Sequence, residues 1–193
     1  SRFTNSLVYD GGICKRLISI NLDYTDILNP QIKKALVSKI KSNNIGEYLT
    51  LEILESEKVS SFDTVNEFIN DVKQFGVKIA IDDFGTGFSN YENILNLNID
   101  YIKIDGSLIR KINEDIYLNL IKSIVLFSKQ QNIKVVAEFV SDLKILRYVK
   151  NIEIDYSQGY YIGKPTHIQE LFGEEDETTT KKDNWFNNKW YFK

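Results

Sequence analysis

Five times between Leu17 and Lys150, a short apolar run rich in β-branched residues gives way to a stretch of helical periodicity, and this alternation restricts the fold more than any other feature. The runs are Leu17–Leu22 (LISINL), Tyr48–Ile53 (YLTLEI), Val77–Asp82, Tyr101–Ile104 (YIKI) and Ile133–Ala137 (IKVVA). A sixth, less regular strand is expected within Ile154–Tyr161, near Gln158-Gly159. Asn29-Pro30 supplies a cap and a first-turn proline for a helix running to about Lys41. Ser60 and Ser61 open another, in which Val65, Phe68, Ile69 and Val72 fall at helical spacing before Gly76 stops it. Further helices are expected between Ser89 and Leu97, around Asp115–Gln131 and over Asp142–Lys150, with Pro165 and a short segment to Phe172 closing the pattern. Strands that alternate with helices require parallel pairing through right-handed crossovers, so the fold class is α/β.

Each strand carries one polar group in an apolar setting. Asn21, Glu52, Asp82, Lys103, Glu138 and Gln158 lie in or at the ends of the six runs, at intervals of 31, 30, 21, 35 and 20 residues. In a (β/α)₈ barrel the strand ends that precede the helices gather at one face, where active sites are built. Taken singly, each has an ordinary reading: a paired or solvated acid for Glu52 or Glu138, a turn cap for Asn21, an edge gatekeeper for Lys103, a Gln-Gly turn for Gln158. Their shared position in successive units argues against coincidence.

The densest of these sites is Val77–Asn90, VKIAIDDFGTGFSN, where an apolar strand ends in adjacent carboxylates and breaks into a loop punctuated by Gly85 and Gly87. Two charges 4 Å apart repel by about 4 kcal/mol at an effective dielectric near 20, so Asp82 and Asp83 call for a positive partner. If the strand stays regular, side chains alternate, and one Asp points to the pocket while the other turns toward the loop. Together they suit one or two hard cations, although an isolated DDxG is more often a plain turn.

Composition narrows the chemistry. The 193 residues are 42% hydrophobic, enough for one sizeable core, and carry 24 basic and 27 acidic residues. A net charge of −3 offers no basic field for DNA, so a phosphate ligand must be gripped locally. Cys14 is the only cysteine and His167 the only histidine, which excludes an internal disulfide and His-rich zinc sites. His167 is expected on the surface near a helix start. Oxygen ligands remain, favouring magnesium or manganese. No apolar run reaches the roughly 18 residues of a membrane span and Ser1–Gly12 has no signal-peptide core, so a cytoplasmic location is expected, with a parent protein that can still be membrane-anchored.

The segments ISINLD, LTLEILES, IAIDDFGTGFSN, IDYIKID, VVAEFV and QGYYIGKP, in this order, closely resemble the EAL family of cyclic di-GMP phosphodiesterases over Leu17–Phe172. The resemblance implies a TIM-type (β/α)₈ barrel with one antiparallel strand. It also implies hydrolysis of the bacterial second messenger cyclic di-GMP to linear pGpG with Mg²⁺ or Mn²⁺, two ions in all. By the same resemblance, Asn21, Glu52, Asp82 and Asp83 are metal ligands, Lys103 orients water or phosphate, and Glu138 is a general base or a further metal contact. Gln158 supports the second metal site, Glu55 tethers the DDFGTG loop, and Gly85 and Gly87 let that loop move. A homodimer through this loop and the following helix is implied, as are GGDEF or sensor domains in the parent protein.

Two departures stand out. The family's AEGVE stretch reads Ala137-Glu138-Phe139-Val140-Ser141, and the Glu-Ala-Leu motif with its first two strands is expected before Ser1. Residues 1–172 are therefore expected to form a partial EAL domain, incomplete at the N-terminus and weakly active or inactive alone. The alternative is a degenerate module that binds cyclic di-GMP or a protein partner without hydrolysis. Residues 173–193 read as a charged linker, Gly173–Asp183, followed by Trp185, Phe186, Trp190, Tyr191 and Phe192. That aromatic tail can dock on the barrel, cover an exposed edge or derive from a cloning junction, with docking favoured.

Overall fold

The computed structural model describes residues 18–54, 62–85, 91–164, 166–167 and 185–186. Six strands, β1 (Ile18–Leu22), β2 (Leu49–Leu54), β3 (Lys78–Phe84), β4 (Tyr101–Ile104), β5 (Lys134–Ala137) and β6 (Tyr156–Ser157), form one sheet in chain order. Every pairing is parallel. The result is an incomplete barrel of the expected α/β class. Among the described residues, β1 and β6 are its two edges.

Helices α1 (Tyr24–Leu28) and α2 (Pro30–Asn43) link β1 to β2, and α3 (Phe62–Lys73) precedes β3. Helix α4 (Tyr91–Leu95) precedes β4, α5 (Gly106–Ile109) and α6 (Asp115–Gln130) link β4 to β5, and α7 (Leu143–Asn151) precedes β6. The Asn29-Pro30 cap is as the sequence announces, while Ser60 and Ser61 lie outside the described residues. The Asn29 side chain accepts from the Gln31 amide at 2.9 Å with Pro30 in the first turn, and Asp142 accepts from the Ile145 amide at 2.9 Å. Gly76 ends the α3 unit at φ +86, a conformation glycine adopts without steric cost. Helices α1 and α5, of five and four residues, have no counterpart in the periodicity. None of the described helices is long and apolar enough to cross a membrane.

Ladder rows alternate sharply. Leu22, Ile53, Ile81, Ile102 and Val135 are register partners across five strands, and all are buried. This apolar face joins Val65, Phe68, Ile69 and Val72 of α3 and Ile121, Ile124 and Val125 of α6 in one core. The neighbouring row runs Asn21, Glu52, Ala80, Tyr101 and Lys134 on the opposite face. Thr50 and Glu52 are nonetheless buried, so the sheet is covered on both faces in its middle strands.

Two expectations change. His167 lies in a two-residue strand β7 (Thr166–His167), paired antiparallel with β8 (Trp185–Phe186), rather than at a helix start. The backbone thus closes a ladder across the charged stretch, which no local helical signal at Pro165 anticipates. Gly173–Asp183 and the last three aromatics lie outside the described residues.

Opposite the strand ends that precede the helices, two aspartates repeat one device. Asp100, before β4, accepts the Ile79 amide of β3 at 2.9 Å and ion-pairs with Lys73 at 2.7 Å and Lys78 at 3.1 Å. Asp155, before β6, accepts the Val135 amide of β5 at 2.9 Å and Lys134 at 2.8 Å. Each fixes the start of the strand beside it. Asp100→Ala leaves the amide of the fully buried Ile79 without its acceptor, and urea unfolding is expected to show a loss of about 1–3 kcal/mol.

Candidate active site

Three carboxylates from three strands meet one ammonium inside the sheet. Lys103 Nζ of β4 lies 2.7 Å from Glu52 Oε2 of β2, 2.6 Å from Asp82 Oδ1 of β3 and 2.9 Å from Glu138 Oε1, one residue beyond β5. Lys103 is 2% exposed and Glu52 1%. Strand order explains the convergence, because these positions share the polar face and sit near the same ends of adjacent parallel strands.

Electrostatics sets how the cluster is charged. Burial disfavours the Lys103 ammonium, but Glu52, Glu138 and Asp82 more than offset this and raise its pKa, so it stays protonated. Three carboxylates on one cation leave a negative excess in a dry place. Glu138 bears it: burial pushes its carboxyl up, Lys103 pulls it down, and Asp82 and Glu52 push it up again, to about 7.

The adjacent acids are not placed by simple alternation. Ile81 pairs with Ile102 and Phe84 with Ile104, so β3 spends two residues, Asp82 and Asp83, where β4 spends Lys103 alone. This is a β-bulge, and Asp83 sits in it at φ +55, a left-handed conformation Asp tolerates better than most residues. A regular strand would separate the two side chains to opposite faces. Instead carboxylate oxygens of Asp82, Asp83 and Glu138 lie within 4.8 Å of one another. Burial raises the Asp83 pKa, as do the neighbouring charges of Asp82 and Asp105, against the pull of Lys103.

Other expected residues fall as follows. Asn21 is exposed on edge strand β1 in register with Glu52. Gln158 follows β6, its amide donating to the Ala137 carbonyl at 2.8 Å and its carbonyl accepting from the Val140 amide at 2.9 Å, which sets it beside Glu138. Gly85 adopts φ +97, and a Cβ there would meet Leu108 Cδ1 at 2.6 Å. Glu55 and Gly87 lie outside the described residues.

Asp105 is the residue the sequence reading passed over. Burial opposes its charge, but hydrogen bonds from Ser107 and Gly106 and the nearby Arg110 hold its pKa low. Its signal was present in YIKID, since the residue two beyond Lys103 shares its face. Phe139, in place of the family's glycine, keeps a left-handed backbone at φ +52 and is 53% exposed.

An all-oxygen set of closely spaced carboxylates fits a hard divalent cation and suits softer, thiol-seeking metals poorly.

Known proteins share this sequence pattern and this fold. The sequence model of the EAL domain matches residues 8–165. The cyclic di-GMP phosphodiesterase PdeA of Borreliella burgdorferi is 36% identical over 165 residues, which are 84% of this chain and 24% of that protein. The chain thus spans about a quarter of that relative's length. The EAL domain of Mycobacterium smegmatis DcpA shares the fold with a TM-score of 0.75 at 24% identity, over 80% of this chain and 70% of its own. Klebsiella pneumoniae BlrP1, in a manganese/cy-diGMP complex, has a TM-score of 0.69 at 27% identity, over 76% of this chain and 38% of its own.

Glu138 has a folded pKa of about 7 against an ordinary value of 4.5, so the folded chain holds an extra proton between those values. Its contribution to stability is full below about 4.5 and is lost as pH rises through about 7. With a chelator present, Glu138→Gln is expected to melt above the parent at about pH 8 and to lose that advantage near pH 4.5. A variant curve parallel to the parent's across this range would contradict the assignment.

Proposed function

The chain belongs to the EAL domain family, and on that premise we propose that its carboxylate cluster hydrolyses one phosphodiester of cyclic di-GMP to linear pGpG, using Mg²⁺ or Mn²⁺. The observation that carries this reading is the convergence of Glu52, Asp82 and Glu138 on Lys103, with Asp83 brought alongside by the bulge. The named activity of the Borreliella burgdorferi relative and the manganese complex of the Klebsiella pneumoniae protein support it.

Asp82, Asp83 and Glu138 would hold a cation, with Glu52 and Asn21 on the adjoining strands extending the donor set toward a second. When bound, a divalent cation supplies polarisation of the phosphodiester and acidification of water near neutral pH. The protein's own part is positioning and proton transfer. Lys103 fixes the three carboxylates within one hydrogen-bond radius and offers positive charge toward a phosphoryl oxygen. Glu138, the carboxylate that burial and its acidic neighbours make the most basic of the cluster, accepts the proton of the attacking water as the new P–O bond forms and the P–O3′ bond breaks. The departing ribose oxygen takes its proton from solvent.

A second reading, capture of cyclic di-GMP without hydrolysis, is favoured by two observations: Phe139 stands where the family has glycine, and Asn21 is exposed on β1, an edge strand among the described residues. The exposure of Asn21, a donor for the second cation, implies slow turnover.

Two measurements separate these outcomes. Mn²⁺ is expected to raise the melting temperature of the chain, with Asp82→Asn cutting that rise by more than half. Chromatography of cyclic di-GMP incubated with Mn²⁺ is expected to show slow pGpG formation, reduced at least a hundredfold by Asp82→Asn, as expected when a group acting at the reacting centre is lost. Metal-dependent binding with no pGpG selects the capture reading; no response to Mn²⁺ or nucleotide removes both.

A further inference from the structure

We infer that Phe139, backed by Arg110, is a stacking platform for one purine base of the nucleotide. The inference rests on the proposed nucleotide reading of the neighbouring carboxylates.

Four observations meet at this residue. Phe139 directly follows Glu138, so its Cα lies on the rim of the carboxylate cluster. Its backbone is held at φ +52, which for an aromatic residue is strained, and such strain persists only where the surroundings over-determine it. The surroundings are visible: the Val140 amide is fixed to the Gln158 carbonyl at 2.9 Å, and the ring lies so close over Gly106 that a Cβ there would come within 2.2 Å of it. Finally, the Arg110 guanidinium sits 4.8 Å from the ring centroid.

The ring is thus seated and yet 53% exposed. Burying a Phe side chain is ordinarily favourable, so a fold that fixes the ring at a backbone cost and leaves it in water is spending stability on a surface. An aromatic ring with a guanidinium on it extends naturally into a stack with a third planar group, and a nucleobase is the planar group attached to a phosphodiester. The same rim carries Tyr160 and Tyr161, 69% and 46% exposed, tied to this turn by the Tyr161 amide donating to the Val140 carbonyl at 3.0 Å. Aromatic faces therefore border the carboxylates on the β5–β6 side. A protein partner would be the other occupant of such a ring, but the phosphate-directed site one residue away favours the base.

The test uses the full chain with Ca²⁺, a hard cation of the right class, and titrates cyclic di-GMP and a base-free bis(ribose phosphate) ring as separate probes. Phe139→Gly relaxes the backbone and is expected to melt no lower than the parent, yet to weaken cyclic di-GMP binding about tenfold to a hundredfold while leaving the base-free probe unchanged. Phe139→Tyr is expected to restore affinity and Phe139→Leu is not. A cyclic dinucleotide carrying 2-aminopurine should lose fluorescence on binding the parent and keep it on binding Phe139→Gly. Equal binding of cyclic di-GMP by the parent and Phe139→Gly overturns the platform, as does binding of the base-free probe as tightly as cyclic di-GMP by the parent. Failure of the phosphodiesterase reading looks different: Phe139-dependent binding and quenching persist while Mn²⁺ yields no pGpG.

Discussion

The ammonium of Lys103 governs the architecture around it. A lone buried charge is costly, and three carboxylates gathered in the same place are more so, but each makes the other tolerable. The four groups come from four separate strands or their ends, so their meeting depends on the register of β2, β3, β4 and β5 being correct throughout. Slippage by one residue in any of them would carry its charged side chain to the helix-packed face. Apolar rows on one side and the ion cluster on the other therefore specify the same pairing, and the aspartates at the opposite strand ends, Asp100 and Asp155, fix where that pairing begins.

Much of this was legible in the sequence, for identifiable reasons. Strands β1 to β5 are short β-branched runs whose polar exceptions fall at the ends, and α2, α3, α6 and α7 announce themselves by caps and four-residue apolar spacing. The convergence of Glu52, Asp82, Lys103 and Glu138 follows from parallel strands in chain order, which the alternation of elements already implies. Short helices α1 and α5 were not visible because one turn has no period to detect. The ladder at His167 was not visible because strand pairing across a charged intervening stretch leaves no local trace. The bulge at Asp82–Asp83 depends on how β3 pairs with β4, and pairing is a property of two segments at once. Its nearest clue was the three-residue spacing of Ile81 and Phe84, both fully apolar, where regular alternation would give two.

Left-handed backbones outside glycine occur in two settings: Asn44, Asn132 and Glu153 follow the ends of α2, α6 and α7, where the chain turns, and the others lie at the rim. Asp83 and Phe139 both hold left-handed backbone conformations, and Gly85 another, while the strands beneath them are regular. At the rim such residues set the direction of functional side chains rather than end a helix. Gly106 belongs to the same economy of space, since the ring of Phe139 occupies the volume any side chain there would need.

The extra residue in β3 carries one more implication. Before it the strand is in step with β4, and after it the strand is in step again, with two acids filling the interval of one. Losing either acid by deletion would not simply subtract a charge. It would close the bulge: a single residue would face Lys103, Ile81 and Phe84 would keep Ile102 and Ile104 as partners by plain alternation, and the two carboxylates would no longer be offered side by side. The doublet is thus the point at which β3 can lose a position and keep its pairing, and the surplus residue serves the crowding of carboxylates rather than the continuity of the sheet.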